Sequence, residues 1–335
     1  MSRRSLVSVL TAGAVALTLG LSGCVAGEGS ALSPDDTETA GGWSSDQLSV
    51  DFATYNPLSL IIKEKGWLEA TLGDDVEVTW LQSSGSAAAN DALRAGALDV
   101  GSTAGSAALL ARANGSPIKT VDVYSQPNWS AIVVAADSPI QSAEDLRGKN
   151  IGANAGTDPY FFLLQTLAEF NIGLDGKTAL ESGAVDAWAG LDPLMSASVV
   201  NAGSRIVYDN PDFNSYGFLN ATESFLEKSP DLAQVVIDAY EKARQWAAEN
   251  PDDAAAIFAD VAGIDLPIAN SVLLDRTNLA IDPAPGQKQL DVLGVIGPIF
   301  VDSGAVAEQS QIDDALASLF DTTYVDGADP SRVTE

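Results

Sequence analysis

The sequence predicts an α/β fold built as two lobes, and three observations lead there. From Gln47 onward, strand-like and helix-like segments alternate with three strand-to-helix turns in succession, the pattern of a mainly parallel sheet flanked by helices. A second run of the same kind begins near Ser130. After about Tyr216 the chain turns to helices with few strands. At 335 residues there is chain enough for two ordinary domains, so the two runs are read as two lobes and the helical tail as returning to cover the first.

The elements follow in order. "QLSVDFA" alternates apolar and polar residues as a strand. "NPLSLIIKEKGW" opens on Asn-Pro, a helix start, and stops at Gly66. Next come "DVEVTWLQ" (strand), "SAAANDALRAG" (helix), "ALDVGST" (strand), "GSAALLARANG" (helix) and "IKTVDVYS" (strand). In the second run, "SAIVVAA" and "KNIGAN" read as strands around the short helix "SAEDLRG". "DPYFFLLQTLAEFNIG" is a helix, "AVDAWAG" a strand, "DPLMSASVVNAG" a helix and "SRIVYD" a strand. The tail reads as helices through "LPIANSVLLDR" and on from Gln287 to about Phe320. Residues 47–129 are thus the first part of lobe 1, 130–215 lobe 2, 216–325 the return to lobe 1, and 326–335 a disordered C-terminus.

Composition removes whole function classes. With 46 acidic and 17 basic residues the formal net charge is −29. Such a surface repels nucleic acid and anionic lipid, and any anion must be drawn in by local groups. The chain has no histidine and a single cysteine. That excludes Ser-His-Asp and Cys-His nucleophiles and His-ligated zinc. No metal and no cofactor is expected, while carboxylate acid–base chemistry stays open.

Residues 1–23 read as an export signal: Arg3 and Arg4, then an apolar stretch from Leu6 to Leu21 that is short for a bilayer span. Leu21-Ser22-Gly23-Cys24 is similar to a bacterial lipobox. In that reading Cys24 is lipidated, and its acyl chains hold the protein on the outer face of the cytoplasmic membrane. Residues 24–46, rich in Gly, Ser, Thr, Asp and Ala, form a flexible tether.

In open α/β sheets a ligand lies beyond the carboxyl ends of the strands, where loops enter helices. The loops so placed are Tyr55-Asn56-Pro57, Ser83-Ser84-Gly85-Ser86, Thr103-Ala104-Gly105-Ser106 and Gln126-Pro127-Asn128-Trp129. The small side chains of 102–106 allow close approach to the backbone. The first amides of the helix near Gly105, with Ser and Thr hydroxyls, are donors suited to a small anion held without a cation. The same residues also suit tight strand–helix packing, with Thr103 or Ser106 as a cap.

In the second lobe, Thr157-Asp158-Pro159-Tyr160 and Leu191-Asp192-Pro193 both place Asp-Pro at a helix start, where the carboxylate acts as a cap. A capped helix end is closed to an anion, so the anionic group is placed near 83–86 and 103–106. Tyr160 and Trp188 then supply the opposing wall, and Asp158 or Asp192 is an alternative partner for an ammonium. Trp188 suits core and site equally, whereas Trp129, after Pro-Asn, faces the cleft.

Several segments resemble one family. These are the lipobox, "IIKEKGWLE", "ALRAGALDVGSTAGSAALLARANGSPIK", "DSPIQSAEDLRGKNIGANAGTDPYFFLLQ", "ESGAVDAWAGLDP" and "AYEKARQWAAENPDDAAAIFA". Over roughly residues 47–320 the chain resembles the aliphatic-sulfonate, taurine and nitrate branch of ABC-importer solute-binding proteins. The resemblance implies a periplasmic-binding-protein-like (type II) clamp, its lobes joined by two crossover strands. It would close on a small solute and present it to a membrane permease and its ATPase, as a monomer and not an enzyme. Carried over by position, the site comprises Tyr55, Asn56, Ser83, Ser84, Gly85, Ser86, Thr103, Ala104, Gly105, Ser106, Asn128, Trp129, Thr157, Asp158, Trp188 and Asp192. One departure stands out: Asp175 runs straight into Gly176-Lys177, where such proteins carry another strand, so lobe 2 is expected one strand short near 175. Other expected solutes are nitrate or a pyrimidine vitamin precursor, the latter stacked on Trp129 and Tyr160. An enzyme using Asp158 and Asp192 as an acid–base pair and a surface sensor are the readings from other classes.

Overall fold

The computed structural model describes residues 42–153, 157–172 and 185–335. Ten strands lie among them: β1 (Gln47–Phe52), β2 (Glu77–Gln82), β3 (Val100–Ala104), β4 (Ile118–Pro127), β5 (Ser130–Val134), β6 (Ile151–Gly152), β7 (Ala187–Leu191), β8 (Arg205–Asp209), β9 (Gly217–Thr222) and β10 (Thr277–Asn278). They form one sheet of order β10-β4-β9-β3-β1-β2 and another of order β6-β7-β5-β8. In the first sheet β1 to β4 run one way, and β9 and β10 run against them. In the second, β6, β7 and β8 run together and β5 opposes them. This is the two-lobed α/β arrangement the sequence predicts.

The helices are α1 (Pro57–Lys65), α2 (Trp67–Leu72), α3 (Ser86–Arg94), α4 (Gly105–Ala113), α5 (Asp158–Glu169), α6 (Leu194–Ala202), α7 (Glu223–Lys228), α8 (Pro230–Glu249), α9 (Pro251–Ala262), α10 (Leu266–Asn270), α11 (Gln287–Asp302), α12 (Gln309–Ser318) and α13 (Thr323–Asp326). The start of α1 shows why the sequence reading works locally. Asn56 accepts a hydrogen bond from the Ser59 amide, Pro57 fills the first turn, and Gly66 ends the helix at φ 64°. Those are cap, starter and left-handed stop, each set by residue type.

Strand β9 is not legible as a strand. It lies between β3 and β4, with Phe218 packed into one hydrophobic cluster and Leu219 and Ala221 into the cluster on the other face. A strand buried on both sides loses the apolar–polar alternation that marks half-buried ones. "LPIANSVLLDR", expected as one helix, is instead α10 followed by a π turn over Ser271–Asp275.

The first sheet is covered on one face by α1, α2, α8 and α9, and on the other by α4, α11 and α12. Strand β4 shifts register twice, between Thr120 and Asp122 and between Val123 and Ser125. The buried Arg244 of α8 serves this irregular stretch. It donates to the carbonyls of Val123 (2.9 Å) and Tyr124 (3.0 Å) and pairs with Asp122 (3.3 Å), so bulged groups without a strand partner are satisfied. In the second sheet, Ile132 and Val134 of β5 face α5, and Ala131 and Val133 face Met195 of α6.

Two crossovers join the sheets. Strand β4 passes through Asn128 and Trp129 into β5, and β8 returns through 210–216 into β9. The Ser130 amide donates to the Asn214 side chain at 3.1 Å, tying one crossover to the other.

The expected disordered C-terminus is corrected. Arg332 donates through two nitrogens to the buried carboxylate of Asp238 (2.6 and 2.7 Å), Lys242 reaches the Val333 carbonyl, and Val333 is buried. A buried carboxylate needs such a partner, so the tail is held. The export signal, Cys24, the tether up to residue 41 and the junction at Asp175 lie outside the described residues. Among the described residues, no helix is long and apolar enough to cross a membrane.

Two glycines separate packing from backbone freedom. A Cβ on Gly105 would stand 2.0 Å from the Ser215 carbonyl oxygen and 3.0 Å from the Phe218 ring, while one on Gly294 meets nothing within 4 Å. Gly105→Ala is expected to destabilise by about 1–3 kcal/mol. Gly294→Ala, in exposed helix, should stabilise by about 0.5–1 kcal/mol, both read by urea unfolding.

Candidate functional site

Four segments meet at the carboxylate of Asp158, at the start of α5. The hydroxyl of Ser106, in the first turn of α4, donates to it. So do the Ser215 hydroxyl (2.8 and 2.9 Å) and the Trp129 indole N–H (3.0 Å). Ser106 belongs to the first lobe, Asp158 to the second, and Trp129 and Ser215 to the two crossovers. The group is 7% exposed as a residue, and every donor aimed at it is neutral. Such a site suits a carboxylate whose charge is spread over several hydrogen bonds.

One of the two loops expected to take an anion is engaged within the protein. The amides of the 103–106 loop are already bonded: Ala104 N–H to the Ser86 hydroxyl (2.9 Å), Gly105 N–H to the Tyr216 carbonyl (3.0 Å) and Ser106 N–H to the Ser215 hydroxyl (3.0 Å). Thr103 is buried and accepts from Asn220 (2.8 Å). The positive end of α4 faces the protein's own Asp158 through Ser106. The two loops do touch, through Ser86 and Ala104. They line no common opening with the groups below.

The crevice between the lobes lies beside this node. Thr54, Tyr55 and Pro57 line it from the β1–α1 loop, Pro127 and Trp129 from the crossover, and Asp192 and Pro193 from the second lobe. Phe258, Val272, Leu273 and Thr277 close it from the helical tail. The cavity volume is about 20 Å³, room for about one water. Its walls are mainly apolar, with Thr54, Tyr55, Asp192 and Thr277 as the polar groups.

The other expected residues sort clearly. Tyr55 donates to the Ser102 carbonyl (2.9 Å), which orients its ring. Asn56 is wholly buried between Ser59 and Tyr240; it is a cap, not a contact. Ser83 is buried, with its hydroxyl unpartnered, whereas Ser84 is exposed and Gly85 precedes α3. Asn128 donates to Asp209 (2.7 Å). Thr157 precedes α5 at its cap position. Tyr160 packs against clusters of both lobes. Trp188 packs with Ala131, Val133 and Met195, which resolves its two readings in favour of core. Asp192 accepts from the Ser196 amide (2.9 Å) and hydroxyl (2.7 Å), as a cap does.

Sequence reasoning missed Arg276. Its Nε donates to Asp192 (3.0 Å), one Nη lies 3.4 Å from Asp209, and the other donates to the Asn128 carbonyl. A guanidinium thus sits behind the crevice wall. A signal was present, because Arg276 is the sole basic residue between Arg244 and Lys288. Ser215 carried no such signal. Among the described residues, no three acidic or sulfur side chains come together as a metal site.

Burial lifts the carboxyls of Asp158 and Asp192 above the usual range, against the pull of their donors. Beneath Tyr55, burial raises Asp51 to about 6, opposed by the Ser102 amide and hydroxyl. A carboxyl raised on folding contributes stability below its ordinary value of 3.8 and loses it as pH rises through about 6. The stability of the protein relative to Asp51→Asn is thus expected to fall by about 2 kcal/mol between pH 4 and 7. Urea unfolding at the two pH values reads this difference, and a flat one would remove Asp51 as its source.

With this geometry in place, comparison with known proteins is informative. A protein of Escherichia coli (strain K12) described as an aliphatic sulfonates-binding protein is 28% identical over 220 residues, covering 62% of this chain and 69% of its own. The crystal structure of the periplasmic aliphatic sulphonate binding protein SsuA from Escherichia coli shares the fold. Its TM-score is 0.71 at 23% identity, with 83% of this chain and 93% of that one covered. So does the desulfurization enzyme DSZB in complex with biphenyl-2-sulfinic acid, at TM-score 0.64 and 15% identity, over 84% and 99% of the two chains. The fold is thus that of periplasmic binding proteins, shared by binders and by an enzyme. The NMT1/THI5 like family matches residues 59–254, more than half of the chain, and it is to this family that the protein belongs.

Proposed function

We propose that this protein is the extracytoplasmic solute-binding component of an ABC importer, taking a small sulfonate with an apolar body and delivering it to a membrane permease and its ATPase. The observation that carries this is the crevice itself. Both lobes, a crossover and the tail contribute to it, and its apolar walls of Pro57, Pro127, Trp129, Pro193, Phe258 and Leu273 suit an alkyl chain. Tyr55, Trp129 and Asp192 are the expected site residues that meet there. The relative described as sulfonates-binding supports the same solute class. A ligand touching both lobes shifts the clamp toward closure by its difference in affinity for the two arrangements.

Lipidation at Cys24 would keep the protein beside its permease, acting as a monomer. Cys24→Ser is expected to abolish incorporation of labelled palmitate and to move the protein from the membrane fraction to the medium. Retention in the membrane fraction without label would remove the anchor from the proposal.

A thermal-shift screen of C2 to C6 alkanesulfonates, taurine, sulfate, nitrate and an aminopyrimidine tests the solute. At a hundred times its Kd, a ligand of the native state alone stabilises by about 2.7 kcal/mol, and the shift is expected to be largest for the longer alkanesulfonates. Stabilisation by the aminopyrimidine alone would assign the walls of Tyr55, Trp129 and Phe258 to a flat ring. Turnover of any of these compounds would make the protein an enzyme.

A further inference from the structure

Arg276 stands between the two lobes in an arrangement that a simple surface ion pair does not need. It follows the π turn Ser271–Asp275 and precedes Thr277, and that stretch supplies one wall of the crevice. One of its terminal nitrogens and its main-chain carbonyl both bond to the backbone of Asn128, the second through the Asn128 amide at 2.6 Å. Strand β10 adds pairing to the end of β4. Arg276 therefore moves with the first lobe and its crossover. Its remaining partners, Asp192 and Asp209, belong to the second lobe. Asp192 is fixed there by the Ser196 amide and hydroxyl on its other oxygen. Parting the lobes must separate Arg276 from both carboxylates.

The side chain is 10% exposed. A guanidinium that loses its carboxylates as the lobes part keeps the Asn128 carbonyl and presents its vacated side to another anion. Its planar fork fits two oxygens of one oxyanion side by side. The neutral donors of the Asp158 node are already engaged, and the net charge of −29 opposes any anion at long range. A local cation directly behind the crevice wall, next to Asp192, answers both conditions.

We propose that Arg276 receives the solute's anionic group: as the lobes part, its guanidinium exchanges the carboxylates of Asp192 and Asp209 for the oxygens of a sulfonate. Asp192 is then an internal competitor that sets how tightly an anion is held. The inference rests on the sulfonate-binding reading above and adds the residue that recognises the head group.

Isothermal titration of the full chain with 1-butanesulfonate tests it. Arg276→Gln is expected to weaken binding by about tenfold or more, the loss of a charge-assisted pair. Asp192→Asn keeps an oxygen for Ser196 and withdraws the charge facing Arg276; it should tighten binding severalfold. Asp209→Asn, half exposed and without a capping role, should tighten it about twofold and guards against a folding defect at position 192. A purely structural ion pair predicts one sign throughout, with all three variants weakening binding as their melting temperatures fall. That result, or unchanged affinity in Arg276→Gln while the unsubstituted chain binds, overturns the role of Arg276 and leaves the solute reading standing. No binding by the unsubstituted chain overturns both.

Discussion

The arrangement of this protein turns on one buried carboxylate. Asp158 enters from the second lobe and is held by a hydroxyl of the first lobe and by one donor from each crossover. Removing a charge from water is expensive unless hydrogen bonds replace its hydration, so these four segments have to be brought together for any of them to be satisfied there. The contact sets where α5 stands relative to α4. It also sets how Trp129 is turned and therefore the shape of the crevice that Trp129 lines.

The same contact occupies the start of α4. The positive end of α4 faces an internal anion, and the small residues around Gly105 are used for close packing on Ser215 and Phe218. The neighbouring crevice has prolines, Trp129, Phe258 and Leu273 as walls, with Arg276 behind Asp192.

Two buried arginines divide the work by location. Arg244 closes the irregular stretch of β4 inside the first lobe and has no partner in the second lobe among its bonds. Arg276 spans the lobes. One stiffens a wall of the clamp, and the other links its halves, a difference set by which segments carry the acceptors.

Much of this protein was settled by local sequence. Caps such as Asn56, stops such as Gly66 and alternation in "QLSVDFA" each act within a few residues, so most helices and strands and the two-lobed order could be read directly. That Tyr55, Trp129 and Asp192 follow strands was legible for the same reason, and all three line the crevice. Tertiary structure alone decided the rest. Strand β9 hides because both its faces are buried. Trp188 became core because β7 packs on Met195, and Asp158 became a node rather than a cap because Ser215, 57 residues away, comes to meet it. Arg276 gains its role from acceptors 67 and 84 residues away. A charge's partner is chosen by where the chain returns in space, and nothing in the spacing of residues along the chain records that distance.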